Sequence, residues 1–190
     1  MLFNRDELLE MGVKSLGNNV KIHKSVCIIN ANYLCIDDNT RIDYSCLLSC
    51  GKDGIFIGKH CHIAAGCYLF GSNGKITLED FSGISARSVL YTGTDDFSDG
   101  FLTGPTIPDS YRKVTQGNIT LKKHVVVGTN STILPNVIIH IGATVGAMSL
   151  VKKDVDEWQV VAGNPLKFIR YREKEKLLSL ESQFLSEKIT

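Results

Sequence analysis

From Leu121 onward an aliphatic residue returns at every sixth position: Leu121, Val127, Ile133, Ile139, Val145 and Val151. The residue four places after each is small or β-branched: Val125, Ser131, Val137, Ala143, Ser149 and Val155. The same two-part rule holds earlier, where Ile36, Ile42, Ile57, Ile63, Leu78 and Ile84 are followed by Thr40, Cys46, Cys61, Cys67, Ser82 and Ser88. Ile22 with Val26 adds a weaker copy. A period of six is neither the 3.6 of an amphipathic helix nor the 2 of an alternating strand. It fits a parallel β-helix in which each hexad supplies one short strand and one corner, and three hexads close a triangular coil. The aliphatic is expected to fill the interior, with the small residue inside near a corner. Gly58, Gly83, Gly128, Asn130, Asn136 and Gly146 are expected to supply corner conformations that branched residues avoid.

Breaks in the phase are regular too. Ile36 to Ile57 and Ile57 to Leu78 each span one coil plus three residues, the excess lying in the turn-like Gly51–Gly54 and Gly71–Gly74. At the same corner the hexads stop from Tyr91 to about Asn118. Loops over about 12–15 residues in a compact domain are usually functional or disordered. The aromatics of this one (Tyr91, Phe97, Phe101, Tyr111) predict an ordered, docked loop. Asn4 or Asp6 is placed to cap a short helix ending at Gly12 that closes the first coil. Residues 172–188 carry Leu177, Leu178, Leu180, Phe184 and Leu185 among Glu and Lys, a rough amphipathic helix expected to cover the open last coil or a neighbouring subunit. The chain thus reads as one domain over 1–190. Its parts are an N-terminal cap (1–20), a β-helix (21–162) with a corner loop (91–118), and a C-terminal tail and helix (163–190).

Composition narrows the function. The 190 residues carry 21 Lys plus Arg against 20 Asp plus Glu, so no basic excess exists for binding nucleic acid through its phosphates. No run of about 18 apolar residues is present to span a membrane. The start, MLFNRDELLEMG, puts acids where a signal peptide needs an apolar core, so a cytoplasmic location is expected. Three of the six cysteines (Cys46, Cys61, Cys67) occupy the inward slot and read as core fillers with reduced thiols. No CxxC spacing points to zinc. His60, His62, His124 and His140 fall at outward slots, as surface or interface residues. The first three are also acid–base candidates, or a metal-binding trio bridging subunits, which their spacing does not favour. No metal is expected.

The hexads, the corner loop and the segment VVVGTNSTILPNVIIHIGATVGAMSLVKKDVDEWQVVAGNPLKFIRYR resemble the hexapeptide-repeat acyltransferases, nearest the galactoside, maltose and envelope-sugar acetyltransferases. The resemblance covers nearly the whole chain and is most specific over residues 121–172. It implies an all-β, left-handed parallel β-helix, a homotrimer, and acetyl-coenzyme A bound in clefts between subunits. By position it places Thr129 and Ala147 along the pantetheine arm, Lys152 and Lys153 after the last hexads, and Lys167 and Arg170 near the nucleotide phosphates. Cationic donors there suit a ligand carrying several negative charges. On the acceptor side, Asn73 falls where the galactoside branch has a substrate-binding carboxylate. Cys50 and Ala64 stand where neighbouring branches have serine and asparagine, so the acceptor is not expected to be the galactoside itself.

The larger departure is the base. The family activates its acceptor hydroxyl with a histidine at the start of the corner loop, and this loop has none. Asp95 falls at that position, next to Asp96, and Gly93 where some members carry a second histidine. Four readings are open. Asp95 or Asp96 is a base with a pKa raised by burial and by its neighbour; a histidine comes from another subunit; the acceptor is a sugar amine that needs no strong base; or both aspartates are turn residues bonded to their own backbone. The function expected is acetyl transfer from acetyl-coenzyme A to a hydroxyl or amino group of a sugar, in a cell-surface polysaccharide or a nucleotide-linked precursor. The alternative is a non-catalytic β-helix scaffold that lost its chemistry with its histidine.

Overall fold

A computed structural model describes residues 1–187. The strands stack into three sheets of six, eight and six strands, parallel except for the last strand of the second, one on each face of a left-handed β-helix of about seven turns. Adjacent turns lie in strict register: Ile36 sits beside Ile57, Ile57 beside Leu78, Leu78 beside Leu121 and Leu121 beside Ile139 on the first face. Ile42, Ile63, Ile84, Val127 and Val145 form the same ladder on the second face. The period of six produces this register, because each full turn returns the same residue type to the same side of the prism.

Every hexad aliphatic named from the sequence is inside, as is its partner four places on. The interior holds more than that rule selects. On the first face the residue two before the aliphatic also points inward (Leu34, Ile55, Ile76, Ile119), and the third face contributes Leu48, Leu69 and Leu90. Cys46, Cys50, Cys61 and Cys67 are buried free thiols. Burial pushes Cys61 up to about 11 and Cys50 up to about 12, so neither is a nucleophile near neutrality.

The corners correct one expectation. Asn130 and Asn136 do adopt the left-handed conformation, with φ of 57° and 61°. Gly58 and Gly128 do not; a Cβ on Gly128 would stand 2.5 Å from the Ala147 backbone nitrogen, so closeness of the next turn selects glycine there. The left-handed slot of the first corner is instead filled by Asn39, His60, Phe81 and His124. Such φ values are costly for bulky residues and persist where neighbours over-determine them. Here successive turns hold them by backbone bonds, His60 N–H to Asp38 O, Phe81 N–H to Lys59 O and His124 N–H to Asp80 O.

Asn4 caps helix α1 (Arg5–Glu10) in a reciprocal capping box with Glu7, and Leu8 is buried at the start of the coil. Strand pairing begins at Ser15–Leu16, inside the segment read as cap. The C-terminal strand Lys167–Tyr171 folds back antiparallel on Gln159–Ala162. Helix α2 (Lys174–Glu187) then runs back along the first corner. The helix thus lies along the side of its own coil rather than over the open last turn. Phe184 lies against His60 and Phe81, and Glu181 pairs with Lys123 and His124. His124, read as an outward residue, is consequently 6% exposed. Residue 188, the last of the helix read from sequence, lies outside the described residues. No helix among the described residues is long and apolar enough to cross a membrane.

Candidate acyl-transfer site

The corner loop rises from the third corner as an antiparallel ribbon, Gly93–Asp95 against Val114–Gln116, with a short 3-10 turn at Asp109–Tyr111. Of its aromatics, Phe97, Phe101 and Tyr111 are 82%, 43% and 62% exposed, Phe101 lying beneath the Lys113 ammonium 5.7 Å from its ring centroid.

The ribbon fixes Asp95 at its base. Gly104 N–H donates to Asp95 Oδ2 at 2.9 Å, and the Arg112 guanidinium stands 3.6 Å from Oδ1. Oδ1 is buried and accepts no hydrogen bond among the described residues. An acceptor left open in a buried carboxylate calls for a partner. Asp95, Arg112 and Asn73 line one cleft of about 200 Å³ together with Gly93, Pro105 and Val114. Asn73 is held there by its backbone, whose N–H donates to Thr92 Oγ1 at 3.1 Å, while Thr92 itself bonds Phe70 O. Gly93 must be glycine here, since a Cβ would meet the Asn73 side chain at 2.7 Å.

Asp96 is occupied otherwise. Its Oδ1 accepts from Ser98 N–H, the Ser98 hydroxyl and Asp99 N–H, and its Oδ2 pairs with Lys113 at 2.9 Å. The Ser98 backbone, then Lys113, hold its carboxyl far below the usual carboxylate range. This is the turn geometry of a structural aspartate.

The donor-side residues divide into groups. Thr129 and Ala147 occupy consecutive turns of the second corner, where Met148 N–H bonds Thr129 O and Thr129 Oγ1 bonds Ala86 O. Lys153 and Lys167 share a cleft of about 160 Å³ at the end of the coil with Asp156 and Phe168. Lys152 is exposed beside Lys153, and Arg170 is exposed on the returning strand opposite Val160. Within one chain, the third face separates Thr129 and Ala147 from Asn73 and Asp95.

The candidate histidines do not converge. His62 bonds Asp43 at 2.8 Å, His60 stacks on Phe81, and His124 lies beneath Glu181. The two partners of Asp95, Gly104 and Arg112, escaped the sequence, because their contact with it is made by the fold of the loop and has no signature in spacing.

No described family model matches the chain. The dTDP-4-amino-4,6-dideoxy-D-glucose acyltransferase of Escherichia coli is 40% identical over 178 residues, 94% of this chain and 92% of that protein. AntD, an N-acyltransferase from Bacillus cereus solved with dTDP and 3-hydroxybutyryl-CoA, is 42% identical with a TM-score of 0.94, over 100% of this chain and 98% of its own. A serine variant of AntD solved with dTDP-4-amino-4,6-dideoxyglucose and coenzyme A aligns at 41% identity and a TM-score of 0.92, over 98% of this chain and 97% of its own.

Proposed function

The chain belongs to the hexapeptide-repeat acyltransferases, and from that premise we propose that it transfers an acyl group from a coenzyme A thioester to the amine of a nucleotide-linked 4-amino-4,6-dideoxy sugar. One observation carries the choice of an amine: this corner has, in place of a histidine, the carboxylate of Asp95, whose buried Oδ1 accepts no hydrogen bond among the described residues. A hydroxyl must lose its proton as it attacks and needs a base poised near neutral pH. An amine in its free-base form does not. Gly104 N–H and Arg112 fix the Asp95 carboxyl group beside the cleft, where it is placed to accept an N–H of the amine.

The reaction is then direct. The amine nitrogen attacks the thioester carbonyl, the C–N bond forms and the C–S bond breaks. The coenzyme A thiolate leaves and takes up the proton the nitrogen loses. Asp95 Oδ1 orients the amine, and Asn73 lines the same cleft beside the sugar. Thr129 and Ala147 run along the pantetheine arm, with Lys152, Lys153, Lys167 and Arg170 toward the phosphates. The AntD variants solved with ligands replace a serine and an aspartate ten residues apart. Ser85 and Asp95 have the same spacing here, which supports Asp95 and adds Ser85, on the second face, to the residues to probe.

The assembly proposed is a homotrimer with the site between subunits. Donor and acceptor residues stand at different corners, so one chain's acceptor corner needs a second chain's donor corner within bonding reach. The third face between them exposes Ile29, Tyr68 and Tyr91, with Phe70 stacked on Tyr91 at 5.0 Å, an apolar surface suited to a second copy. The exposed loop aromatics favour the same assembly. The test is acylation of dTDP-4-amino-4,6-dideoxyglucose with acetyl-CoA, followed by thiol release and product mass.

A further inference from the structure

Thr92 stands at the foot of the corner loop with none of its surface exposed. It closes a column on the third corner whose members in the two turns below are Gly71 and Cys50. A hydroxyl at so buried a position calls for a reason. Resting on the amino-sugar reading above, we infer that Thr92 is a positioning residue for the acceptor: its hydroxyl holds Asn73 beside Asp95.

The hydroxyl makes two bonds, and they differ in what depends on them. Thr92 Oγ1 donates to Phe70 O at 2.8 Å and accepts Asn73 N–H at 3.1 Å. Phe70 O also accepts Thr92 N–H at 3.0 Å, so it keeps a partner when the hydroxyl is removed. Asn73 N–H has no other acceptor among the described residues. The specific consequence of the hydroxyl is therefore the tether on Asn73.

The same residue anchors the ribbon. Thr92 O accepts Gly117 N–H at 2.9 Å, closing the pair of strands that carries Asp95 three residues further on. Between them Gly93 lets the Asn73 side chain lie flat against the ribbon, where a Cβ would meet it at 2.7 Å. Thr92 thus ties the Asn73 turn and the Asp95 ribbon at one point, and both residues line the 200 Å³ cleft. Asn73 Oδ1 accepts the Ser72 hydroxyl at 3.1 Å, while its amide nitrogen makes no hydrogen bond among the described residues. That nitrogen is left to donate to a sugar oxygen. Without the tether, the turn must be ordered each time the acceptor binds, which weakens binding.

The test compares Thr92→Val, which keeps the branched shape and removes the hydroxyl, with Thr92→Ser, which keeps the hydroxyl. Both are made in the whole enzyme. Hydrogen exchange followed by mass spectrometry should show faster exchange at the Asn73 amide in Thr92→Val and native exchange in Thr92→Ser. In acylation of dTDP-4-amino-4,6-dideoxyglucose, Thr92→Val should raise KM for the sugar about three- to tenfold, the order of one neutral hydrogen bond. KM for acetyl-CoA should not move, and Thr92→Ser should restore the native KM for the sugar. In an Asn73→Ala background, Thr92→Val should raise KM no further, because two residues acting through one contact are not additive. Unchanged exchange at Asn73, an unchanged KM for the sugar, an equal rise in KM for acetyl-CoA, or additive effects overturn the inference. Faster Asn73 exchange in Thr92→Val, with a wild type that acylates no nucleotide-linked amino sugar, leaves the tether assigned and overturns the reading of the reaction instead.

Discussion

At the scale of single residues, the two neighbouring aspartates of the loop separate cleanly. Asp96 spends both oxygens on its own turn and on Lys113, whereas Asp95 lines a cleft with Asn73 and its buried Oδ1 accepts no hydrogen bond among the described residues. Asp95→Asn replaces a charged acceptor by a neutral one of the same shape. It should lower kcat/KM for the acceptor about ten- to hundredfold, the loss of one hydrogen bond to a charged group, with KM for acetyl-CoA unchanged. A loss of activity confined to the donor's KM would remove Asp95 from the acceptor site. Burial makes a second distinction. In the native protein a thiol reagent should modify exposed Cys27 first, while Cys50 and Cys61, whose thiols burial raises to about 12 and 11, should react only on unfolding. Mass mapping of the labelled cysteines checks the order. In the core, Ile63→Ala leaves a cavity in a fully buried ladder and should cost about 2–5 kcal/mol in a denaturant melt.

Among the elements, α2 behaves least as its own sequence suggests. Its leucines and Phe184 advertise an apolar stripe, but the surface that receives it is a column of corner residues, His60, Phe81 and His124, whose left-handed backbone turns them outward in a stack. Nothing in the hexad rule marks those positions as a docking strip, because the rule reads only what faces inward. Interior residues were legible for the opposite reason: Ile36, Ile57, Leu78, Leu121 and Ile139 repeat one environment, so one spacing reports them all. The loop was legible as an interruption but not as a ribbon that brings Arg112 to Asp95, since that contact follows from pairing within the aperiodic segment 91–118. The α2 dock carries a pH signature. Partial burial raises the Glu181 carboxyl, but its bonds to Lys123 and His124 outweigh that and hold it below the usual glutamate range. A carboxyl lowered on folding stabilises above its ordinary pKa and loses that contribution as pH falls through the lowered value. Proteolysis within α2 should therefore accelerate on acidification below the usual glutamate range, before the coil melts. Glu181→Gln should show faster cleavage already at neutral pH. Cleavage that stays unchanged as the pH falls through that range, or in Glu181→Gln at neutral pH, would contradict the ion-pair account.

For the molecule as a whole, the proposed donor residues stand at one corner and the proposed acceptor residues at another, and the homotrimer proposed above would bring the two together between chains. Light scattering should give three times the mass of the chain. Tyr68→Lys, which puts a charge on the exposed apolar third face, should shift the protein toward monomer and abolish turnover while the fold persists by circular dichroism. An active monomer would refute the shared site. The near-neutral total charge, 21 basic against 20 acidic residues, makes local cations such as Lys153 and Lys167, which share a cleft at the end of the coil, the proposed partners of an anionic donor. The central claim is that the corner without a histidine serves an amine. Incubating the enzyme with acetyl-CoA and dTDP-4-amino-4,6-dideoxyglucose, and analysing the product by mass and fragmentation, tests it most directly. The account predicts one acetyl group per sugar, on nitrogen, with one free thiol released for each. An acetyl group on oxygen, or no transfer to this acceptor while a neutral sugar is acetylated, would contradict it.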